Sequence, residues 1–291
     1  MQLPEPDDYT TLVNINRADL IMALGWAHVP AIQPLLNRLC TPPARRLADQ
    51  VVMYDQLVGS AGMQVGSAWM LGQYVQQFDI VGPAQLPTQG PLLIVANHPG
   101  LADTLLLMAA IPRTDVRIIA AERPFLRALP NTAAHLITVS DEPVSRQAAA
   151  RRAVRHLRAG GTLLTFPGGR IEPDPAVLPG ASEALALWEA RITVFLRRVP
   201  DLVVVPAIVS GVLSVRALRH PLTYLRRSAA GRQLLAAALQ LVFPALRNNR
   251  PRLVFGTPLR VAADSSESVA QALLAEVVRL MRNAEKAHVS R

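Results

Sequence analysis

Short apolar runs rich in β-branched residues alternate with helical stretches from about residue 81 onward. The predicted strands are Leu92–Ala96, Val116–Ala120, Leu136–Val139, Thr162–Phe166, Val203–Val209 and Leu253–Phe255. The predicted helices are Leu101–Ala110, Val144–Ala159, Ala181–Arg198 and Glu267–Ala287. Because strands that alternate with helices form βαβ units, this order predicts an α/β fold with a mainly parallel mixed sheet flanked by helices.

Residues 1–80 differ from the rest, because their apolar residues recur at helical spacing. We expect helical runs over Asp19–Leu39 and Ala44–Phe78, with a break at Thr41-Pro42-Pro43, since proline ends most helices. The expected organisation is an N-terminal helical segment, residues 1–80, that could attach to a membrane, and an α/β domain, residues 81–291.

The composition excludes several kinds of protein. Cys40 is the only cysteine, so neither an intrachain disulfide nor a thiolate metal cage can form. The acidic start, M-Q-L-P-E-P-D-D-Y, lacks the basic and apolar regions of a signal peptide, so we expect an intracellular protein. Although 51% of the residues are hydrophobic, no stretch reaches the about 20 mostly apolar residues of a spanning helix, and no transmembrane span is predicted.

Arginine supplies almost all of the positive charge, since the formal net charge is +9 and Lys286 is the only lysine. Residues 215–252 are especially rich in arginine, interleaved with leucine and aromatic residues. This pattern is typical of an interfacial helix on an anionic membrane, and a solvated face over an ordinary core would give the same pattern. Nucleic acid is not an expected partner, because no recognised binding motif accompanies the charge.

A histidine and an aspartate flank a turn that follows the predicted strand Leu92–Ala96. In open α/β sheets, ligands bind beyond the carboxyl ends of strands, which is where His98 falls. The Pro99-Gly100 turn can bring Asp103 back onto one imidazole nitrogen, so that the other nitrogen can accept a proton from a hydroxyl. A structural histidine beside a helix-capping aspartate explains the spacing equally well.

A second turn follows the strand Thr162–Phe166, where the sequence reads F-P-G-G-R-I-E from Phe166 to Glu172. Exposed N–H groups at Gly168 and Gly169, beside the guanidinium of Arg170, would form a receptor for phosphate. Taken alone, the motif indicates no more than a turn with a charge.

Taken together, the two turns resemble the glycerolipid acyltransferase family, whose members include 1-acylglycerol-3-phosphate acyltransferases. The run Asn97–Asp103 resembles the His-x4-Asp signature, and Phe166–Arg170 is similar to the Phe-Pro-Glu-Gly-Thr-Arg block. Ala121–Pro130 and Val204–Pro206 resemble the other two blocks, so the resemblance covers about residues 81–260.

Two departures from the family pattern affect the expected substrate. Gly168 replaces the glutamate of the third block, and one residue is missing before Arg170. Either Arg170 reaches the acceptor differently from its family counterpart, or Glu172 partly replaces the lost carboxylate.

The resemblance implies transfer of an acyl group from acyl-CoA or acyl-carrier protein, as co-substrate, to a hydroxyl of a lysophospholipid or glycerol-phosphate-like acceptor. His98 would be the general base, oriented by Asp103. The implied substrate-binding residues are Asn97, Arg123, Arg127, Gly168, Gly169, Arg170 and Glu172. No metal or cofactor is expected.

The lipid substrates place the expected location at the cytoplasmic face of the cell membrane, as a peripheral or monotopic protein on an anionic surface. Two alternatives remain open from the sequence. One is a non-catalytic lipid-binding protein on the same scaffold, and the other is an acyl thioesterase.

Overall fold

A computed structural model describes residues 6–100, 102–262 and 266–289, so Leu101 of the predicted helix Leu101–Ala110 lies outside the described residues. The chain divides into two compact units, each discontinuous in sequence. The helical unit contains residues up to 76 together with 123–134 and 213–250. The sheet unit contains residues 77–122, 135–212 and those from 251 onward. The sheet unit begins near the predicted boundary at residue 80, but two later segments group with the N-terminal helices.

The sheet unit is built on one mixed, mainly parallel sheet. The described strands are β1 (Asp79–Val81), β2 (Leu92–Ala96), β3 (Val116–Ala121), β4 (Leu136–Val139), β5 (Thr162–Thr165), β6 (Val203–Ser210), β7 (Arg252–Phe255) and β8 (Leu259–Arg260). Their order is β1-β7-β6-β2-β5-β3-β4, and β8 pairs with β6. Only the β6–β7 and β6–β8 pairings among these strands are antiparallel. Strand β2 therefore lies at the centre, between β5 and β6.

Four helices belong to the sheet unit: α4 (Asp103–Ala110), α7 (Pro143–Arg158), α8 (Trp188–Leu196) and α11 (Ser266–Val289). A large core cluster joins the strands to three of these helices. The strands contribute Leu93, Val95, Leu163 and Val204, and the helices contribute Leu157, Trp188, Ile192, Leu273 and Val277. Since β2, β5 and β6 are buried along their whole length, their continuous apolar runs are explained by cover on both faces.

The predicted α/β architecture is confirmed, and all six predicted strands form with bounds that shift by at most one residue. The structure adds β1 and β8, which are three and two residues long and too short for a periodicity argument. The predicted helix Ala181–Arg198 is a short 3₁₀ segment, Glu183–Leu187, followed by α8.

The helical unit contains α1 (Pro6–Leu24), α2 (Gln33–Ala61), α3 (Met63–Tyr74), α5 (Pro124–Arg127), α6 (Pro130–Ala133), α9 (Val215–Leu218) and α10 (Ala229–Val242). The predicted break at Thr41-Pro42-Pro43 is wrong, because α2 continues through both prolines. Each proline removes one helical hydrogen bond. The buried residues Leu36, Cys40 and Ala44 pack on both sides of this point, and that burial keeps the segment helical.

Residues 215–250 of the arginine-rich segment contribute both to the core and to the surface of the helical unit, and Arg252 belongs to β7. Leu235, Ala236 and Leu239 of α10 are buried. The large apolar side chains exposed in this segment are Leu222, Tyr224, Leu225, Leu234 and Phe243. No helix in the described part of the chain is long and apolar enough to cross a membrane.

Candidate active site

The sheet places the candidate residues at the carboxyl end of its central strand. Every residue of β2 is buried, and the strand is paired in parallel with β5 on one side and β6 on the other. Because the carboxyl ends of parallel neighbours meet at one edge, the residues after β2 lie beside the residues after β5. Asn97, His98 and the loop from Phe166 to Glu172 are brought together in this way.

The turn after β2 folds Asp103 back onto His98. Gly100 has a φ of +87°, a left-handed conformation that side chains disfavour, and this bends the chain within two residues of His98. The His98 Nδ1 lies 2.8 Å from the Asp103 Oδ2. Because a carboxylate can only accept hydrogen bonds, Nδ1 is the donor, which assigns the remaining lone pair of the ring to Nε2.

Asp103 is held rigidly at the first turn of α4. Its side chain is 1% exposed, and its Oδ2 also accepts a hydrogen bond from the Gly100 N–H at 2.7 Å. Its Oδ1 accepts bonds from the N–H and the hydroxyl of Thr104. Both carboxylate oxygens are therefore engaged, and the charge lies at a helix N-terminus, where a negative charge is stabilised.

The imidazole of His98 is fixed by contacts on its ring as well. It stacks on Phe166 with 4.6 Å between ring centroids and an interplanar angle of 29°. Its side chain is 29% exposed, so solvent and small molecules can reach part of the ring. An oriented, partly accessible imidazole beside a buried carboxylate is the arrangement that general base catalysis requires.

The loop after β5 pairs with the backbone of His98 through Glu172. The His98 N–H donates to the Glu172 Oε2 at 2.9 Å, and the Glu172 N–H donates to the His98 carbonyl at 2.8 Å. The indole N–H of Trp188 donates to the Glu172 Oε1 at 3.0 Å. Burial raises the pKa of the Glu172 carboxyl above its ordinary value, although the bonds from Trp188 and from the His98 N–H oppose that shift. The polar atoms of Glu172 thus bond inside the fold, whereas the sequence predicted a substrate contact.

The two glycines of this loop each leave space for a charged side chain. A Cβ on Gly168 would overlap the Glu172 Oε1, and a Cβ on Gly169 would overlap the Nη1 of Arg191. Gly169 also has a φ of +67°, and its N–H donates to the Phe166 carbonyl at 3.0 Å to close the turn. The Gly169 N–H is therefore already used within the loop.

Arg191 was not predicted from the sequence as a site residue, and the structure places its side chain against the same loop. It lies on α8, its side chain is exposed, and its Nη1 donates to the Pro167 carbonyl at 2.6 Å. Arg170 is exposed on the loop itself. Arg191 therefore bonds to the Gly168-Gly169 turn and Arg170 follows it in sequence, and the anion receptor expected there stays a prediction.

Asn97 is fully buried and its amide is used by the protein. Its Nδ2 donates to the Val209 carbonyl at 2.8 Å, and its Oδ1 accepts from the Val209 N–H at 2.7 Å. The side chain thus extends the β2–β6 pairing beyond Ala96. Both polar atoms of the amide are therefore bonded inside the fold, and the substrate-binding role expected for Asn97 stays a prediction.

The remaining predicted residues, Arg123 and Arg127, belong to the helical unit. Arg123 precedes α5 and Arg127 ends it, and both side chains are exposed. Within the described ranges, no three histidine, cysteine or acidic side chains come close enough to hold a metal ion.

Comparisons with known proteins match the part of the chain that contains this site. A family model described as Acyltransferase matches residues 77–210, a little under half of the chain. A search of curated proteins found no match. Among solved structures, the chain is similar to the crystal structure of the 1-acyl-sn-glycerophosphate (LPA) acyltransferase PlsC from Thermotoga maritima. That similarity has 17% sequence identity and a TM-score of 0.43, and it covers 94% of this chain and 97% of the other.

Proposed function

We propose that the chain, whose residues 77–210 match the Acyltransferase family model, transfers a fatty acyl group from an acyl thioester to a hydroxyl of a lysophospholipid or glycerol-phosphate-like acceptor. The observation that supports this proposal most directly is the 2.8 Å contact between the His98 Nδ1 and Asp103 at the carboxyl edge of the sheet. The thioester donor would be acyl-CoA or acyl-carrier protein.

In the proposed reaction, His98 is the general base. Asp103 keeps a proton on Nδ1, so Nε2 takes the proton of the acceptor hydroxyl while the hydroxyl oxygen attacks the thioester carbonyl carbon. The tetrahedral intermediate then breaks its C–S bond, and the imidazolium returns the proton to the leaving sulfur. The products are an oxygen ester and a free thiol, and the route requires neither a serine nor a cysteine nucleophile.

The loop after β5 and the adjoining helix α8 supply the proposed binding groups for the substrates. We assign Arg170 and Arg191 to phosphate on the acceptor or on CoA, because Arg191 bonds to the turn at Pro167, Arg170 follows the turn in sequence, and both residues are exposed. The N–H of Gly168 is the proposed donor to the thioester oxyanion, since the Gly169 N–H is already bonded. Arg123 and Arg127 remain proposed phosphate ligands on the strength of the family resemblance alone.

Asn97 and Glu172 are not included among the substrate contacts. Their polar atoms are bonded to Val209, His98 and Trp188. Both residues therefore contribute to the site by holding its backbone in place.

We propose that the helical unit binds an anionic membrane surface, which would bring lipid acceptors to the enzyme. Most of the exposed large apolar side chains in the described residues belong to this unit, including Leu39 at 62% and Phe243 at 51% exposure. Arginines near anionic lipid add about 1 kcal/mol of attraction each. The cytoplasmic face of the cell membrane is the proposed location.

The test of catalysis offers labelled acyl-CoA to the purified protein with a panel of lysophospholipids, monoacylglycerol and glycerol phosphate. We expect ester formation with at least one acceptor, and a loss of about 10²–10⁴-fold in His98→Ala, the range that general base catalysis contributes. A folded His98→Ala protein with near-normal transfer would contradict the mechanism. Release of free fatty acid without any acceptor would instead identify a thioesterase.

The test of membrane binding is sedimentation with vesicles of neutral lipid or of neutral lipid mixed with anionic phosphatidylglycerol. Leu39→Asp and Phe243→Asp are expected to weaken binding to the anionic vesicles. Val144→Asp is the matched control, because Val144 is 73% exposed but belongs to the sheet unit. Equal binding by all three variants would reject the helical unit as the membrane-binding surface.

A further inference from the structure

Glu172 makes an unusual pair of contacts with one residue of the candidate site. Its backbone N–H and its side chain both bond to the main chain of His98, one to the carbonyl and the other to the N–H. His98 lies two residues beyond the end of β2, and both polar groups of its backbone bond to Glu172. Glu172 therefore fixes the backbone of His98, and the Glu172 side chain is in turn held by the hydrogen bond from the Trp188 indole N–H.

The position of the carboxylate depends on the absence of a side chain at Gly168. A Cβ at that position would overlap the Glu172 Oε1 and lie close to its Cδ and Cγ. The resembling family block has glutamate where this chain has Gly168, whereas here a carboxylate enters the same space from four residues further along the chain. Gly168 and Glu172 therefore form a matched pair.

We propose that Glu172 is a positioning residue for His98, which holds the backbone of the general base and adds a second negative charge beside its imidazole. This inference rests on the proposed acyl transfer. A side chain at Gly168 is incompatible with this role, which accounts for the glycine in place of the glutamate of the family block.

The charge of Glu172 acts on a small set of neighbours. The groups that influence it are His98, after β2, and Asp103, at the start of α4, with the indole N–H of Trp188 from α8. Arg191, also on α8, lies over Gly169 on the adjoining turn. Because an imidazolium forms during the reaction, a buried carboxylate so close to His98 stabilises the protonated ring.

The first experiment measures steady-state acyl transfer by Glu172→Gln. The glutamine amide must turn one N–H group toward either the His98 N–H or the Trp188 indole N–H, so the His98 backbone shifts. We expect kcat to fall by about 10²-fold, the effect of a misplacement of about 1 Å, while KM for both substrates changes by less than about threefold. The acid limb of the kcat/KM profile should also move to lower pH, because the imidazole loses a neighbouring negative charge. Glu189→Gln, an exposed residue of α8, is the matched control and should behave like the wild type.

Two results of this experiment would overturn the proposal. A rise in KM with kcat unchanged would show that Glu172 contacts a substrate. Unchanged kcat and an unmoved acid limb would show that it does not position His98. A loss of kcat without movement of the acid limb would leave the backbone contact in place but reject the contribution of the charge.

The second experiment separates this inference from the proposed function, because it does not depend on turnover. Thermal unfolding is compared for Gly168→Ala, Glu172→Ala and the double variant. Gly168→Ala should lower the melting temperature when it is introduced into the wild type but have little effect when it is introduced into Glu172→Ala, because the overlapping carboxylate is then absent.

NMR titration of the His98 imidazole should show a changed pKa in Glu172→Gln even if no acceptor is found. Additive melting shifts and an unchanged His98 titration would reject the positioning role, whereas absence of turnover in the wild type would reject only the acyl transfer.

Discussion

Asn97→Ala tests whether Asn97 binds a substrate or holds the sheet together. The sequence predicted a binding residue, but the structure gives both amide groups to Val209, at 2.8 Å and 2.7 Å. The N–H and the carbonyl of one strand residue point to the same side. The N–H and the carbonyl of Val209 both point toward Asn97 and away from β7. In Asn97→Ala these two groups would therefore lose their partners, and no other strand could replace the two bonds.

The size of the effect follows from what the substitution leaves behind. Removing the amide strands a buried N–H and a buried carbonyl, and each unsatisfied group costs about 1–3 kcal/mol. We therefore expect the free energy of unfolding to fall by about 4 kcal/mol, a large part of the about 5–15 kcal/mol that stabilises a typical domain. Asn97→Asp should be at least as damaging, because a carboxylate oxygen would face the Val209 carbonyl in a buried site.

Urea unfolding followed by circular dichroism measures this loss. Asn14→Ala is the matched control, because Asn14 is exposed and the change should stay within about 0.5 kcal/mol of the wild type. At temperatures where Asn97→Ala remains folded, KM for the acceptor should be close to the wild-type value. A destabilisation below about 1 kcal/mol together with a raised acceptor KM would refute the structural role and restore the predicted binding role.

Three further substitutions test the site and the two units. Asp103→Asn should lower kcat by about 10²–10⁴-fold in the acyl-transfer assay without unfolding the protein, because an amide does not stabilise an imidazolium. Arg113→Met should lower the free energy of unfolding by about 3 kcal/mol in thermal melts, because Arg113 is 6% exposed at its side chain and bonds Asp115 and three backbone carbonyls. Although burial opposes the shift, Arg113 holds the pKa of Asp115 below its ordinary value of 3.8. The stability that this pair contributes is therefore present above pH 3.8 and is lost as the pH falls through the lowered pKa. Arg113→Met should lack that part of the dependence of stability on acid pH. Asp55→Ala should destabilise the helical unit by about 2–4 kcal/mol in the same melts, because the buried Asp55 accepts bonds from the N–H and the hydroxyl of Thr132.

Local patterns predicted the parts of the molecule whose partners are close in sequence. All six predicted strands form, because runs such as Leu92–Ala96 are apolar, β-branched and bounded by turns. His98 and Asp103 are five residues apart, and a single glycine turn is enough to join them. Their contact in the structure agrees with the spacing argument made from the sequence.

Partners that are distant in sequence were not predictable from one chain. Asn97 bonds to a residue 112 positions away, and Glu172 bonds to Trp188 16 positions away on another element. From sequence alone, a polar residue at the end of a strand is therefore interpreted as a binding residue, because its hydrogen-bond partner in the fold is not known. The helix break predicted at the two prolines was wrong for the same reason. Burial of the residues around Cys40 against distant parts of the chain outweighs the local effect of the prolines, so α2 is continuous.

The Gly168-Gly169 turn shows how a departure from a family motif can preserve a site. From the sequence alone, the missing glutamate suggests that the site has lost a carboxylate and that its acyl acceptor differs from that of the resembling family. In the structure, the space above Gly168 contains the carboxylate of Glu172, and the space above Gly169 contains the guanidinium of Arg191. Since backbone geometry decides which side chain reaches a point, a motif position can change while the chemical group at that point remains. A sequence comparison limited to aligned positions would record only the missing glutamate, whereas the bonds between Glu172 and the backbone of His98 place a carboxylate against this turn.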